Sequence, residues 1–455
     1  MALGRREDKQ REMFVATPAM PRGPGHPFYA KLNAVLSRSG FDAFAEELCA
    51  PYYAEGGRPG IPPGVYFRMV LVGYFEGLDS QRGIAWRCAD SLALREFLGL
   101  ELTERVPVHA SMSVIRLRLG PEVFDAVFTF VLGLLKEHAL LDGRTLGIDA
   151  TTLEANAAMR SIVRRDNGQN WKAYLKDLAK AEGLEDPSDE DLRRIDRGRK
   201  DKRVSNREWE NPSDPDAKIA RMKDGTTHLA YKAEHAVDLR SEAIVAATVA
   251  TADTGDAQSG PETLLEAQSQ LMACQSAVVV EELVADKGYH DNELLAQVTA
   301  WGVRTYVPER RQKKRRWSDK PDAVQAAFRA NRRRLRGARG RRLNRWRSER
   351  CERTFAHVCE TGGGRRLWVR GLVEVTKTHV MRCAAFNLGL LMRKAFQMGK
   401  PRSGSGQNAH IWAQIDRSIT AWLDSMQRSS PQWGSHVCTH LRCALFQILS
   451  KSAVL

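Results

Sequence analysis

Arg144-Thr-Leu-Gly-Ile-Asp149 and Ala277-Val-Val-Val-Glu-Glu-Leu-Val-Ala-Asp286 are two short apolar runs, and each ends on an acid. Runs of this length, rich in β-branched residues, read as buried strands. Between them lie two more strand-like runs, His228 to Val237 and Ala243 to Ala250, joined by a turn at Asp238 to Glu242. A helix from Pro261 to Ala273 follows them; after Asp286 come a helix from Asn292 to Trp301 and a strand from Val303 to Pro308. Three strands, helix, strand, helix, strand, helix is the pattern of a mixed α/β sheet. An Asp that ends a buried strand is held rigidly at the sheet's rim, where open α/β sheets bind their ligands.

Working outward, residues 1–27 are polar and Pro/Gly-rich and read as a flexible N-terminal segment. Residues 28–142 read as an all-α domain. Val65 to Gly77 is a dense apolar helix, Asp79-Ser80 caps a second through Cys88, and Asp90-Ser91 caps a third through Leu98. Val106-Pro107-Val108-His109 leads into a further helix bearing Arg116 and Arg118. Short capped helices of this kind suit a helix-turn-helix reader of DNA ends or a packing domain, and propensity does not separate the two. The α/β domain spans 143–400. It carries a charged, mixed-sign insertion of helical pattern at about 155–227 and a closing helix from Thr376 to Phe396 with Val380, Ala384, Leu388 and Leu391 on one face. Residues 401–455 are left as a C-terminal tail.

The net charge of +15 is concentrated in one segment: between Arg310 and Arg353, 19 Lys or Arg face four acids. Such a run is the footprint of a polyanion, most simply double-stranded DNA; a solvated arm that touches nothing specific is the alternative. Arg332, Arg333, Arg334, Arg336, Arg341, Arg342, Arg345 and Arg347 are the candidates for phosphate contact. No run reaches the roughly 18 apolar residues of a membrane span, and the N-terminus has no apolar signal region. The expectation is a cytoplasmic, nucleoid-associated protein. Eight cysteines lie singly, as in a reducing compartment. The group His436, Cys438, His440 and Cys443 has zinc-like ligand types, but its spacing matches no common zinc motif.

Glu352 opens a helical face shared with Phe355, Ala356 and Cys359, so a packed helix fixes its carboxylate. Asp149, Asp286 and Glu352, with no Lys or Arg in contact, would repel one another, and a divalent cation resolves that repulsion. An all-oxygen site suits Mg²⁺ or Mn²⁺, and two such ions form the usual apparatus for in-line attack on a phosphodiester. Taken singly, each Asp could be a turn former or helix cap. Lys287, Tyr289 and His290 follow Asp286 directly and could touch phosphate or serve as supporting residues. Asp238 and Asp256 sit in turn contexts. Gly362-Gly-Gly364 lacks the Gly-Lys-Ser/Thr of a nucleotide loop, so ATP use is not expected.

Gly147-Ile-Asp149-Ala-Thr-Thr-Leu-Glu, Val284-Ala-Asp286-Lys-Gly-Tyr289-His and Glu352-Arg-Thr-Phe-Ala-His357 resemble the three motifs of DDE transposases. The chain is most similar to the insertion-sequence-1182 family. Gly25-His-Pro-Phe-Tyr29, Ile61-Pro-Pro-Gly-Val-Tyr66 and Asp79-Ser-Gln-Arg-Gly-Ile-Ala-Trp86 are similar to that family's helical domain, and Asp214-Pro-Asp216, Ala230-Tyr-Lys-Ala-Glu-His235 and Ala385-Phe-Asn387-Leu-Gly-Leu-Leu-Met-Arg393 to its catalytic core. The resemblance runs from about residue 4 to 402. It implies an RNase H-like core with Asp149, Asp286 and Glu352 as catalytic and metal-binding acids, and hydrolysis at the inverted repeats of an element. Strand transfer by the freed 3′-hydroxyl into target DNA would follow, with a homodimer or larger oligomer on the DNA. Where relatives carry a Tyr, an Arg and a Lys around the Glu, this chain has Arg345, Ser348 and Cys359, and Val108 stands where many have Asp. Two other classes share parts of the pattern. One is a catalytically impaired, transposase-derived DNA-binding protein acting as a repressor; the other is a nonspecific nuclease without strand joining.

Overall fold

The sheet is built around β1 (Thr145–Glu154), which runs antiparallel to β5 (Thr227–Asp238) on one side and parallel to β7 (Glu282–Ala285) on the other. β8 (Arg304–Tyr306) extends the parallel half beyond β7. On the far edge of β5, β4 (Lys218–Arg221) pairs with its first residues and β6 (Ile244–Thr251) with the rest, both antiparallel. A meander of β1, β5 and β6 followed by two helix-linked parallel strands is the RNase H-like order that the sequence implied. This computed structural model describes residues 25–54, 56–57, 60–198, 205–222, 225–310, 317 and 319–401. The group at His436 to Cys443 and nearly all of the expected tail lie outside the described residues.

Alternation along the strands sorts residues between two layers. Leu146, Ile148, Ala236, Leu283 and Ala285 join one apolar cluster with Leu264 and Leu271 of α10 (Asp256–Ala273) and Leu294, Leu295 and Val298 of α11 (Asn292–Ala300). Val284 and Tyr306 instead meet Leu343 of α13 (Ala338–Phe355) in a second cluster on the opposite face. α12 (Asp322–Arg336) precedes α13, separated by Gly337, and α13 runs into one π-helical turn, Ala356–Thr361.

α14 (Leu372–Phe396) is buried along most of its length between the sheet and the N-terminal helices. Those helices are α1 (Pro27–Arg38), α2 (Phe41–Cys49), α3 (Pro63–Glu76), α4 (Gln81–Asp90), α5 (Leu92–Leu98), α6 (His109–Arg118) and α7 (Pro121–Glu137). Their core is aromatic, with Phe28, Tyr29, Phe41, Phe67, Phe75, Phe97 and Phe124 all buried. The two capping residues expected from sequence hold: Ser80 Oγ accepts from Gly83 N at 3.1 Å and Ser91 Oγ from Leu94 N at 3.4 Å. Each such cap stabilises its helix by about 1 kcal/mol. Among the described residues no helix is long and apolar enough to cross a membrane.

Three boundaries differ from expectation. β1 does not end at Asp149 but continues to Glu154, because the long β5 keeps pairing with it to Ala230. α10 begins at Asp256, so that residue opens a helix instead of sitting in a turn; Pro261 lies inside the helix, past the first turn, and cannot donate the bond its position would make to residue 257. The insertion is not purely helical. β2 (Val163–Arg164) and β3 (Trp209–Glu210) form a two-stranded ladder beside α8 (Trp171–Ala181) and α9 (Asp189–Gly198), whose Leu175, Ala179, Leu192 and Ile195 make a small core of their own.

Candidate active site and basic arm

The parallel ladder between β1 and β7 closes with Ile148 opposite Ala285, so the next residue on each strand is Asp149 and Asp286. Adjacent strands lie about 4.8 Å apart. By alternation both acids fall on the face that carries Gly147 and Val284, the face covered by α13. Asp149 Oδ1 accepts from Ala150 N at 2.9 Å, and Asp286 Oδ1 from Gly288 N at 2.6 Å. Backbone amides thus fix the orientation of both carboxylates.

α13 can approach because residue 147 is glycine. A Cβ there would lie 2.7 Å from Leu239 Cδ2, 3.1 Å from Cys351 Sγ and 3.2 Å from Arg347 Cγ. Cys351 Sγ reaches Gly147 O at 3.6 Å, which seats the helix two residues before Asp149. Glu352 is the next residue along α13; it is exposed and accepts from Ser348 Oγ at 3.2 Å.

Contrary to the expectation of three acids without a cationic neighbour, Arg347 Nη1 sits 2.8 Å from Asp149 Oδ2, with only 13% and 20% of the two side chains exposed. The guanidinium offsets the repulsion between neighbouring carboxylates. It also gives Arg347, one of the residues expected on the DNA backbone, a partner within the fold. The ligand atoms of Asp149, Asp286 and Glu352 do not all come within 4.8 Å of one another; among the described residues the group that does is His235, His379 and Cys383.

Behind Asp286 lies a polar cluster that the sequence reading missed. A Cβ at Gly288 would collide with carboxylate oxygens of both Asp286 and Asp256, so these two acids flank one glycine. Lys232 Nζ lies 2.8 Å from Asp256 Oδ1 and donates to Ser259 Oγ at 2.8 Å. Glu234, 2% exposed, accepts from Ser259 at 2.9 Å, from Thr263 at 2.5 Å and from the Tyr289 hydroxyl at 2.5 Å. Burial, then the Glu234 charge, push the Tyr289 phenol well above its ordinary pKa. Tyr289 therefore braces the sheet from below and does not face phosphate. His290 is also buried, edge-on to Phe328, and of the three residues after Asp286 only Lys287 is exposed. The available signal was Lys232 and Glu234 standing inside an otherwise apolar strand run.

The basic arm divides in two. Arg339 binds the 2%-exposed Glu282 at 3.0 and 2.6 Å, Arg334 donates to Thr305 O and Oγ1, Arg332 pairs with Glu309 at 2.7 Å, and Arg353 with Glu242 at 2.7 Å. Burial alone would raise the Glu282 carboxyl; hydrogen bonds from Arg339, Thr145 and Tyr306 outweigh it and hold the group below its ordinary value. Arg332 and Arg334, expected on DNA, thus have partners within the fold, and burial lowers the Arg334 pKa. Arg333, Arg336, Arg341, Arg342 and Arg345 are exposed and, among the described residues, have no ion-pair partner. Arg342 and Arg350 lie over the Trp346 ring at 5.3 and 4.5 Å.

In the N-terminal helices, α6 buries Met112 and Ile115 and turns Val114 and Leu117 to solvent, and Trp86 of α4 is exposed as well. Arg116 points inward and pairs with Glu374 of α14, whereas Arg118 lies over Tyr53.

Comparison with known families gives two matches. Residues 19–118 match a model described as Transposase domain (DUF772), and residues 308–392 one described as Transposase DDE domain. The second contains Glu352; Asp149 and Asp286 lie in the unmatched stretch between the two. No curated protein and no solved structure matches the chain. The chain is a DDE transposase of the insertion-sequence type, an enzyme that acts on DNA and belongs to a class that generally depends on divalent metal.

Proposed function

We propose that this transposase, most similar to the insertion-sequence-1182 family, binds the terminal inverted repeats of its element, cleaves there and joins the ends to target DNA through Asp149, Asp286 and Glu352. The observation that carries the reading is the pairing of Asp149 and Asp286 at the end of the β1–β7 ladder, with Glu352 presented over the same face by α13.

The donor set is all carboxylate oxygen, which fits Mg²⁺ or Mn²⁺, as one ion or a pair. A divalent cation held by these acids supplies Lewis-acid charge at the attacked phosphate. The chain does the rest. Ala150 N and Gly288 N orient the two aspartates, Ser348 steadies Glu352, and Arg347 has to release Asp149 Oδ2 before that oxygen can act as a ligand. A guanidinium so released remains beside the site, suited to a phosphate oxygen. The five exposed arginines of α12 and α13 would lie along the duplex backbone. The N-terminal helices, with Trp86, Val114 and Leu117 outward, would recognise the ends, and a homodimer or larger oligomer would pair two of them.

Arg347 on Asp149, together with Ser348 and Cys359 where relatives carry Arg and Lys, is what favours the second reading, a DNA-binding repressor without catalysis. Incubating the protein with a duplex ending in the inverted repeats that flank its gene separates the two. The enzyme nicks at the repeat boundary in Mg²⁺ or Mn²⁺, is blocked by chelation, and loses cleavage but not binding as Asp149→Asn or Glu352→Gln. Specific binding with no cleavage in either ion establishes the repressor.

A further inference from the structure

On the strand beside Asp149, in register with it, stands His235. Its ring is fully buried, stacked on Phe355 at 4.2 Å and on His379 at 5.0 Å. Its Nδ1 lies 3.0 Å from Thr354 Oγ1, and that hydroxyl already donates to Cys351 O at 2.8 Å. Thr354 can therefore only accept, so His235 carries its proton on Nδ1 and presents a lone pair at Nε2. That nitrogen faces His379 Nε2 at 2.9 Å and Cys383 Sγ at 3.4 Å.

As a purely hydrogen-bonded group this arrangement is frustrated. One lone pair is approached by two donors, and all three side chains are 0% exposed, so bulk water does not serve the loser. His379 Nδ1 has no hydrogen-bond partner, so nothing on that side fixes the ring's tautomer and its Nε2 can equally offer a lone pair. Burial holds both imidazoles neutral, with His235 well below its ordinary value and His379 lowered to about 3. Neutral imidazole is the ligand form.

We propose that His235, His379 and Cys383 form a buried structural site for a soft, closed-shell cation, Zn²⁺ or Cu⁺, distinct from the carboxylate site. Imidazole nitrogen and thiolate sulfur select these ions over Mg²⁺. With metal–nitrogen bonds of about 2.0–2.1 Å and metal–sulfur of about 2.3 Å, tetrahedral ligands stand roughly 3.3 Å (N–N) and 3.6 Å (N–S) apart. The observed 2.9 and 3.4 Å need an opening of only a few tenths of an ångström. The Nδ1–H of His235 on Thr354 is the orienting outer bond that ligating histidines usually make. On binding, the Cys383 thiol gives up its proton to solvent, and its thiolate balances the charge of Cu⁺ or half that of Zn²⁺, which takes a fourth, non-protein ligand readily. The site ties β5 to α14 and, through Thr354 and Phe355, to the end of α13 just past Glu352. It does not depend on the triad being catalytic.

The test is elemental analysis of the full-length, untagged protein, purified without chelator from medium supplemented with zinc and copper. About one equivalent of zinc or copper is expected, falling below about 0.2 in Cys383→Ser and in His379→Phe, which keeps a ring in the stack. Should the variants misfold, reconstitution of wild type with Co²⁺ decides: visible ligand-field bands with a thiolate charge-transfer band support the site. Metal-free wild type with a featureless Co²⁺ spectrum overturns it, as does metal retained in folded Cys383→Ser.

Discussion

The two sides of the α12–α13 arm share one composition and do different work. On the sheet side, Arg334, Arg339, Arg347 and Arg353 bind Thr305, Glu282, Asp149 and Glu242, joining the arm to the strands. On the solvent side, Arg333, Arg336, Arg341, Arg342 and Arg345 carry charge with no acid opposite them among the described residues. A net charge counted along a segment therefore overstates what is available to a polyanion. Sheet-side arginines neutralise carboxylates that would be costly to bury alone, and only the solvent side can release counterions from a duplex.

The largest effect that would sharpen this contrast is on the solvent side. Changing Arg333, Arg336, Arg341 and Arg345 together to Ala should flatten the log–log salt dependence of DNA binding by up to about 3.6, at about 0.9 per phosphate lost. Affinity near 0.15 M salt should fall by about 10², equally on end and scrambled duplexes, because phosphate contacts carry no sequence. Thermal stability should stay put. An unchanged slope in a salt titration breaks the contrast.

Next is Arg339→Ala on the sheet side, which leaves the buried Glu282 with only the longer, 3.4 Å contact to Arg304 as a cationic partner. Arg339 is itself half exposed, so the full penalty of a buried pair is discounted to about 1–2 kcal/mol. DNA affinity should be nearly unaffected. Because the folded-state pKa of Glu282 lies below its ordinary value, its contribution is present above the ordinary Glu pKa of about 4.3 and is lost as pH falls through and below it. Melting curves between pH 7 and 3 should show wild type and variant converging at the acid end. A gap that widens toward acid pH contradicts the assignment.

The smallest effect tests Arg347 as the competitor for Asp149. Arg347→Met, which keeps length without charge, should tighten Mn²⁺ binding by about fivefold, the equivalent of about 1 kcal/mol of ion pairing released. Calorimetric titration of the protein without DNA reads this apart from cleavage. Unchanged or weaker affinity means that the guanidinium does not compete for that oxygen.

Much of the fold was legible. Strand runs alternating with helices gave the mixed sheet, and Ser80 and Ser91 fell at their helix starts. What was not legible depends on partners distant in sequence. β1 runs past Asp149 only because β5 is long enough to hold it, which no local pattern reveals. The inward arginines, however, left a trace. Arg339, Leu343, Arg347 and Cys351 recur every four residues, and the apolar members of that stripe, Leu343 and Cys351, mark the buried side of α13. Reading charge without helical phase placed Arg347 on DNA instead of on Asp149. Glu234 and the His235 group went unassigned because polar residues inside an apolar strand run mark a cluster without telling which partners, distant in sequence, bury them.

The central claim, that Asp286 and its two partners hold the catalytic cation, is met most directly by a change of ligand softness. Asp286→Cys places a thiolate where a carboxylate oxygen stood, and sulfur discriminates against Mg²⁺ far more than against Mn²⁺. Cleavage of the end duplex should vanish in Mg²⁺ and return in part in Mn²⁺, whereas Asp286→Asn stays inactive in both. Equal cleavage by Asp286→Cys in the two ions, or activity of Asp286→Asn in Mg²⁺, would contradict the account.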